Sequence, residues 1–343
     1  MPQPKLDTLE FSRAELKKHS QALGFRARTV AEAKAWQRKL RRKLIALLGG
    51  FPAKRVPLRP RIVETRRFKG YTRQAVYFET RDTLSAFAYF LVPDGFHSPG
   101  PAVLCLPGHG RGVDDLVGIN EDGTMRDEFG GYQGDYALQC VSHGYAALAF
   151  EQLCFGHRRD EAALKGGSGN SSCQPASGAA LLFGQTMIGW RVWDAMRAID
   201  YLSTRPEVDP GRIATLGCSG GGTTSLHTAA IDERVKVAVV SCYFNTYADC
   251  IMSISHCMDN YIPGILDWAE MPDVAGLIAP RGFFAEGGTQ DPIFPVAATR
   301  RAHRCTKRVY RLFGAERQIG LEIFDDTHRW WGKGAFEFLA KTL

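Results

Sequence analysis

The order of apolar and polar runs along the chain predicts an α/β fold. Short, continuous apolar runs recur from position 101 onward, as expected for strands buried on both faces of a parallel sheet. Segments with helical spacing of apolar residues separate them, most clearly residues 187–206. This alternation predicts a mostly parallel central sheet with helices on both faces. The predicted buried strands are PAVLCLP (101–107), YAALAFE (145–151), RIATLG (212–217), VKVAVVS (235–241) and RGFFAEG (281–287).

Two other patterns precede this region. Residues 9–50 carry apolar positions at helical spacing and stop at Gly49-Gly50, so we expect an N-terminal helical extension over residues 1–55. The runs RIVETRRF, TRQAVYFET and LSAFAYFLV are rich in β-branched and aromatic residues and are separated by short turns. They predict antiparallel strands at one edge of the sheet. Residues 56–343 are then expected to form one domain.

Two segments of this domain are too irregular to be predicted as scaffold. Residues 152–180 carry clusters of Gly, Ser and Asn, and residues 245–270 interrupt the alternation of strand and helix. Long loops in compact domains are usually functional or mobile. We expect both segments to be lid-like insertions above the carboxyl ends of the strands, where open α/β sheets bind ligands.

Composition and charge narrow the classes of partner. The formal charge of +7 comes from basic runs at residues 36–44 and 299–311, and both runs have helical spacing of apolar residues. Solvated helix faces are therefore expected in preference to a nucleic-acid groove. The N-terminus lacks the pattern of a signal peptide, and no window of about 18 uninterrupted apolar residues predicts a membrane span. Nine cysteines without framework spacing indicate free thiols and a cytoplasmic location.

One short motif carries candidate chemistry. Gly217-Cys218-Ser219-Gly220-Gly221 follows a predicted strand and opens a predicted helix, and it fits the pattern G-x-S-x-G. In a nucleophile elbow this pattern holds a serine on a strained turn with small neighbours. The alternative is a glycine-rich turn in which Ser219 is only the helix N-cap. Cys218 is expected to be a buried small residue that points away from the site.

A serine nucleophile needs a base and an acid that orients the base, and both follow in the sequence. Asp291 comes after the strand at 281–287, and His328 lies on the loop after the last predicted strand, QIGLEIF. Serine, acid and histidine thus appear in the order typical of α/β-hydrolases. Asp249, which comes after the strand at 235–241, and Glu151, at the end of the strand at 145–151, remain alternatives for the acid. Asp291 is favoured because it follows the strand after which this fold places its acid. The acids Asp325 and Asp326 lie too close to the histidine in sequence to orient it easily.

Two backbone N–H groups would complete such a site as an oxyanion hole. Gly220 directly follows the serine, and His109 lies in the loop LPGHGRG after the first buried strand. The same loop could instead open a dinucleotide site, but G-x-G-x-x-G is not completed because position 113 is Val.

Metal binding is not predicted. The pairs Cys154/His157 and His303/Cys305 each lack a second pair at the spacing of a zinc site.

With these motifs in hand, the chain resembles the dienelactone-hydrolase-like α/β-hydrolases, in the branch of acetylxylan esterases and cephalosporin C deacetylases. The resemblance covers roughly residues 35–340. It implies nucleophile Ser219, acid Asp291, base His328 and oxyanion donors His109 and Gly220. It rests on LCLPGHG, TMIGWRVWDAMRAIDYLSTRPEVDPGRI, LGCSGGG, HCMDNYIPG, TQDPIFP and DDTHRWW.

Two departures from the family pattern limit what the resemblance implies. Dienelactone hydrolases proper use a Cys nucleophile, whereas the centre of the elbow here is Ser219. The deacetylase oxyanion loop usually reads His-Gly-Tyr where this chain has Pro107-Gly108-His109. The substrate therefore need not be an acetylated sugar.

Aromatic side chains near the motifs are candidates for binding substrate, because aromatic faces commonly bind sugar rings or flat acyl groups. The candidates are Trp190, His256, Tyr261 and Trp330, with Trp331 beside the last of them; packing in the core or in a lid is the alternative for each.

These observations predict a serine carboxylic-ester hydrolase that acts on a small, short-chain acyl ester, acetyl-esterase-like and compatible with an acetylated carbohydrate. No metal or organic cofactor is expected. The alternatives are a serine peptidase similar to prolyl oligopeptidase and a non-catalytic binding protein with a hydrolase fold. The sequence leaves the oligomeric state open, because the basic N-terminal helices could pack on the domain or on a second copy in a homo-oligomer.

Overall fold

A nine-stranded sheet forms the centre of the computed structural model, which describes residues 5–343. Its strands are β1 (Arg61–Phe68), β2 (Tyr71–Arg81), β3 (Leu84–Pro93), β4 (Gly100–Leu106), β5 (Ala146–Phe150), β6 (Val208–Cys218), β7 (Val235–Ser241), β8 (Gly282–Gly288) and β9 (Ile319–Phe324).

The spatial order of the strands is β1-β2-β3-β5-β4-β6-β7-β8-β9. Strands β4 to β9 pair in parallel, whereas β1, β2 and β3 form an antiparallel meander whose last strand pairs with β5. Both the parallel sheet and its antiparallel edge are as predicted. Because β4 to β9 are parallel, their carboxyl ends lie at one edge, where the loops that follow them meet.

The part of the chain from residue 5 onward contains ten α-helices: α1 (Thr8–Leu16), α2 (Val30–Leu47), α3 (Tyr136–Ser142), α4 (Glu161–Lys165), α5 (Cys173–Leu182), α6 (Met187–Leu202), α7 (Gly220–Ile231), α8 (Met271–Gly276), α9 (Val296–Leu312) and α10 (Lys333–Thr342). The basic runs at 36–44 and 299–311 lie on α2 and α9, as expected for helix faces. Within residues 5–343, none of these helices is both long and apolar enough to cross a membrane.

The two faces of the sheet carry separate hydrophobic clusters. Strand β4 shows the principle, because Leu104 and Leu106 pack on one face while Val103 and Cys105 pack on the other. Helices α2, α6, α7, α8 and α9 cover the first face, and α3 and α10 cover the second. Burial on both faces is the reason that these strands are continuously apolar in sequence.

Helix α2 is docked on the domain through polar contacts as well as apolar ones. It begins with a capping box between Thr29 and Glu32. The buried amide of Gln37 donates to the carbonyls of Gly276 and Ala279, at 3.0 and 2.7 Å. The expected helices of the N-terminal segment are therefore present, and α2 packs on its own chain.

The segment at 152–180 is more regular than predicted, because it contains α4 and α5. The clusters of Gly, Ser and Asn that suggested an irregular loop form the turn between these two short helices. Neither helix is long enough to show an amphipathic period in the sequence. Residues 245–270 contain only short 3₁₀ turns, at Met258–Asn260 and Ile265–Asp267, as expected for an irregular insertion.

Candidate active site

Ser219 occupies a sharp turn between β6 and α7. Its backbone has φ 57° and ψ −122°, a conformation that an L residue adopts only under strain. A Cβ atom built on Gly217 would lie 2.2 Å from the carbonyl oxygen of Gly221, and one built on Gly221 would lie 1.8 Å from the carbonyl oxygen of Leu106. The glycines of the motif are thus required because strand and helix backbones approach too closely for any side chain.

The close approach predicts a large loss of stability in Gly221→Ala. The added methyl group would meet the Leu106 carbonyl, which is rigid backbone, so we expect a loss of about 2 kcal/mol or more, measured by urea unfolding. The matched control is Gly178→Ala in α5, where an added Cβ meets nothing within 4 Å. This control should be stabilised by about 0.5–1 kcal/mol. Equal stability of the two variants would contradict the packing argument.

His328 and Asp291 meet at the same edge of the sheet as Ser219. Nδ1 of His328 lies 2.7 Å from Oδ2 of Asp291, whose other oxygen accepts from the N–H groups of Ile293 and Phe294 at 2.8 and 3.1 Å. Burial lowers the pKa of His328, but its hydrogen bond to Asp291, together with a contribution from Cys242, outweighs burial and the pKa rises to about 9. The carboxylate is therefore held rigidly and fixes one ring nitrogen of the histidine.

The other candidate acids have different partners. Asp249 pairs with Arg301, and Asp325 accepts a hydrogen bond from the Thr289 hydroxyl at 2.7 Å. Asp326 lies 3.4 Å from the Arg329 guanidinium. Of the candidates from the sequence, Asp291 is the carboxylate that contacts His328 within residues 5–343.

Glu151, the remaining candidate acid, supports a backbone turn. It is buried and accepts from the N–H groups of Val113 and His157, each at 3.2 Å. Burial raises its pKa to about 7. Glu151 therefore lies under residues 112–113, beside the loop after β4 and away from His328.

The loop after β4 lies against Ser219. A Cβ atom built on Gly108 would be 3.1 Å from Cβ of Ser219, and the Gly108 N–H donates to the amide oxygen of Gln133 at 2.7 Å. The backbone N–H groups of His109 and Gly220 donate to no acceptor among residues 5–343. These are the two groups predicted from the sequence as oxyanion donors: Gly220 directly follows Ser219, and His109 follows Gly108, which lies against it.

A cavity of about 400 Å³ opens above these residues. Ser219 and His328 both line it, although the hydrogen bonds within residues 5–343 do not include one between their side chains. That bond is often long before a substrate binds. The remaining walls come from two loops and the insertion at 245–270, and they consist of His109, Tyr132, Ile254, Ser255, His256, Cys257 and Ile293.

Of the four aromatic candidates, His256 lines this cavity and the others lie elsewhere. Trp190 is part of a small cluster near α5 and donates to the Gln185 side chain at 2.5 Å. Tyr261 lines a neighbouring cavity of about 270 Å³. Trp330 is buried in the core against Tyr136, so its prediction as a pocket wall is wrong.

The physical reason is the direction of the chain after His328. Trp330 donates its backbone N–H to the Tyr132 carbonyl at 2.7 Å and its ring points into the core. Trp331 stacks on Phe324 with ring centroids 5.1 Å apart. Nearness to His328 in sequence therefore did not place either ring at the cavity.

A buried carboxylate holds the segment after His328 in place. Glu286 in β8 accepts from the N–H groups of Trp331 and Gly332 at 2.9 and 3.0 Å, and from the Ser241 hydroxyl at 2.8 Å. Burial raises its pKa to about 8. The position of His328 thus depends on its partner Asp291 and on an anchored backbone.

Sequence reasoning missed a buried ion-pair network behind the loop after β4. The guanidinium of Arg191 contacts the carboxylate of Asp259, and the same carboxylate oxygen lies 3.3 Å from Nε2 of His109. Arg191 also donates twice to the Leu153 carbonyl, at 3.1 and 2.8 Å. An arginine among the apolar residues in the first half of α6 was the available signal, because a buried charge requires a partner.

Among residues 5–343, two groups of side chains have the residue types that could hold a metal ion. His109, Cys173, Cys257 and Asp259 offer ligand atoms within 4.8 Å of one another, as do Cys242, Asp291 and His328. The Arg191 guanidinium contacts both Asp259 and Cys173, so the first group already contains a buried cation and is an ion-pair network. The second group contains the hydrogen-bonded pair described above.

All nine cysteines are free thiols, as predicted, and Cys218 is buried.

Comparisons with known proteins agree with this architecture. Bacillus subtilis (strain 168) has a relative named "Putative hydrolase YtaP", 30% identical over 285 residues that cover 80% of this chain and 88% of YtaP. The crystal structure of "a putative acetyl xylan esterase" from Bacteroides fragilis NCTC 9343 is similar with a TM-score of 0.79 at 19% identity, over 93% of this chain and 83% of that one. A glucuronoyl esterase from Solibacter usitatus has a TM-score of 0.65 at 15% identity, over 90% and 93% of the two chains. A family model described as "Abhydrolase family" matches residues 5–309, and since it spans most of the chain, this protein belongs to the Abhydrolase family.

Proposed function

We propose that this protein is a serine hydrolase of carboxylic esters. The observation that carries the proposal is that a strained serine at an elbow and a histidine bonded to a buried carboxylate line one cavity. Beside the serine are two backbone N–H groups, of His109 and Gly220, that have no acceptor among residues 5–343. Each feature has its own structural explanation when taken alone. Together, and at the carboxyl ends of β6, β8, β9 and β4, they match the requirements of acyl transfer.

In the proposed mechanism His328 takes the proton of the Ser219 hydroxyl as that oxygen attacks the ester carbonyl. The N–H groups of His109 and Gly220 stabilise the negative charge on the carbonyl oxygen. The alcohol leaves with the proton from His328, and an acyl-enzyme forms. Water, deprotonated by His328, then releases the acid, while Asp291 fixes the orientation of the ring throughout.

The cavity supports a short acyl group. Its apolar walls come from Ile254 and Ile293, and the insertion at 245–270 supplies one side. We propose that this insertion covers the site as a lid and limits the size of the acyl chain. The names of the similar esterases add carbohydrate esters to the classes that should be tested, with acetylated sugars and sugar uronate esters as the two kinds.

The test uses p-nitrophenyl esters from acetyl to octanoyl together with a fluorophosphonate probe. We expect hydrolysis that falls steeply beyond short acyl groups, and covalent labelling of Ser219 located by mass spectrometry. Acetylated xylan and a methyl glucuronate ester are the carbohydrate arms, and a peptide anilide separates esterase from peptidase activity. Absence of both labelling and hydrolysis would overturn the proposal and favour a binding protein.

A further inference from the structure

The side chain of His109 has an unused ring nitrogen at the cavity. Its Nε2 lies 3.3 Å from Oδ2 of the fully buried Asp259. Its Nδ1 has no hydrogen-bond partner among residues 5–343, and it is absent from the buried unpartnered atoms of that range. About a third of the side chain is exposed (34%), and the residue lines the cavity together with Ser219. The free nitrogen is therefore reachable from the cavity.

This nitrogen lies next to one of the proposed oxyanion donors. A Cβ atom built on Gly220 would be 3.3 Å from Nδ1 and 3.5 Å from Cε1 of His109. The ring edge thus runs beside the backbone whose N–H is free to meet the oxyanion. A side chain at position 220 would therefore meet the ring of His109, and the glycine leaves room for that ring.

The network behind the ring holds it in the charged form. Burial lowers the pKa of His109, but the charge of Asp259 and its hydrogen bond outweigh burial and raise the pKa to about 9. Asp259 stays ionised because Arg191 and His109 lower its pKa against the effect of burial. The titratable and charged groups that face His109 from the surrounding elements are Asp259, Arg191, Cys173, Cys257, His256 and His328.

We propose that the imidazolium of His109 is a third oxyanion donor, and that its Nδ1–H stabilises the charge of the tetrahedral intermediate beside the Gly220 N–H. The role rests on the proposed esterase function. Hydrogen bonds from a charged donor are about twice as strong as those from a neutral amide. The ring needs no reorganisation during the reaction, because Asp259 binds its far nitrogen and Phe155 packs edge-on at 4.6 Å.

Two substitutions test the role of the His109 ring independently of its backbone N–H, because both variants keep that N–H. His109→Phe keeps the packing on Phe155 and removes the donor, so we expect kcat to fall by about 10²–10³ while KM changes by less than about threefold. His109→Gln restores a neutral donor and should lie between the wild type and the Phe variant. The Gln variant also keeps the test valid if the Phe variant folds poorly beside Asp259.

The pH profile gives a readout that a packing role would not change. Activity should rise with pH as His328, whose pKa is raised to about 9, loses its proton and becomes a base. It should fall again as His109 loses its proton, since the charged ring is present below a pKa of about 9 and lost above it. The wild type should therefore give a narrow bell, measured by acetate release with the uncatalysed rate subtracted.

In His109→Gln we expect the alkaline limb to disappear and the acid limb to remain. The matched control is His256→Gln, in which the alkaline limb should persist. Burial lowers the pKa of His256, so loss of its proton cannot produce that limb. An alkaline limb that persists in His109→Gln, or a kcat of His109→Phe within about threefold of the wild type, overturns the inference.

Fluorophosphonate labelling of Ser219 keeps this result distinct from a failure of the proposed function. If the wild type is labelled and hydrolyses esters while the His109 variants match it, the inference alone fails. If the wild type neither reacts with the probe nor hydrolyses any ester, the esterase proposal fails and the inference with it.

Discussion

Ser219→Ala should lower kcat for p-nitrophenyl acetate by on the order of 10⁴–10⁶, with little change in stability. The hydroxyl is the only group lost, and the remaining site can supply only binding and oxyanion stabilisation. The strained backbone at this position should accommodate alanine as well as serine, because the two side chains share the same Cβ atom and differ only in the hydroxyl group. Thermal unfolding and active-site titration with the fluorophosphonate probe accompany the rate measurement.

The control for this variant is Ser255→Ala. Ser255 lies on the insertion at 245–270 and lines the same cavity. Within residues 5–343 its hydroxyl makes no hydrogen bond to a histidine, and the histidine that is bonded to a carboxylate is His328. We expect the control to keep activity within about threefold and to be labelled on Ser219. An Ser219→Ala protein with full esterase activity would falsify the proposed nucleophile.

Asp291→Asn should lower kcat by about 10⁴ while preserving the fold. The amide oxygen of asparagine can still accept from the N–H groups of Ile293 and Phe294, as Oδ1 of the native carboxylate does. Its NH₂ group would face Nδ1 of His328, where the native carboxylate accepts a hydrogen bond from the ring N–H. The ring would then hold its proton on the nitrogen that must act as base, which is the wrong tautomer for catalysis.

This substitution also tests the choice among the candidate acids. Asp325→Asn is the matched control, because Asp325 lies on the same loop as His328 but bonds to Thr289. We expect its activity to remain within about threefold of the wild type. Comparable losses in the two variants would show that the loop as a whole, and not the carboxylate at 291, determines the rate.

Much of the architecture could be predicted from local sequence because its signals are local. The buried strands are continuous apolar runs, the edge strands are rich in β-branched and aromatic residues, and α6 has clear helical spacing. These periods follow from the backbone geometry of each element. The insertion at 152–180 was misjudged because α4 and α5 are shorter than the window in which a period can be recognised.

Side-chain direction and contacts between distant residues explain the errors that the sequence prediction made at the site. Trp330 is two residues from His328 and was predicted as a pocket wall, yet its ring lies in the core. Arg191 and Asp259 were not singled out, although they support the ring of His109. Partners 68 residues apart in sequence, such as these two, leave no spacing pattern that local reading could detect.

The sequence by itself determined the sheet, the elbow and the order of Ser219, Asp291 and His328 along the chain. The strands and the elbow are encoded by short segments whose geometry depends on their own backbone, and the order of the three residues is read directly from the chain. Only the tertiary structure decided which carboxylate contacts the histidine and which aromatic side chain lines the cavity. It also decided which charged side chains contact His109 in the loop after β4. Those contacts form only when the parallel strands bring distant loops to one edge, so they depend on how the whole chain packs.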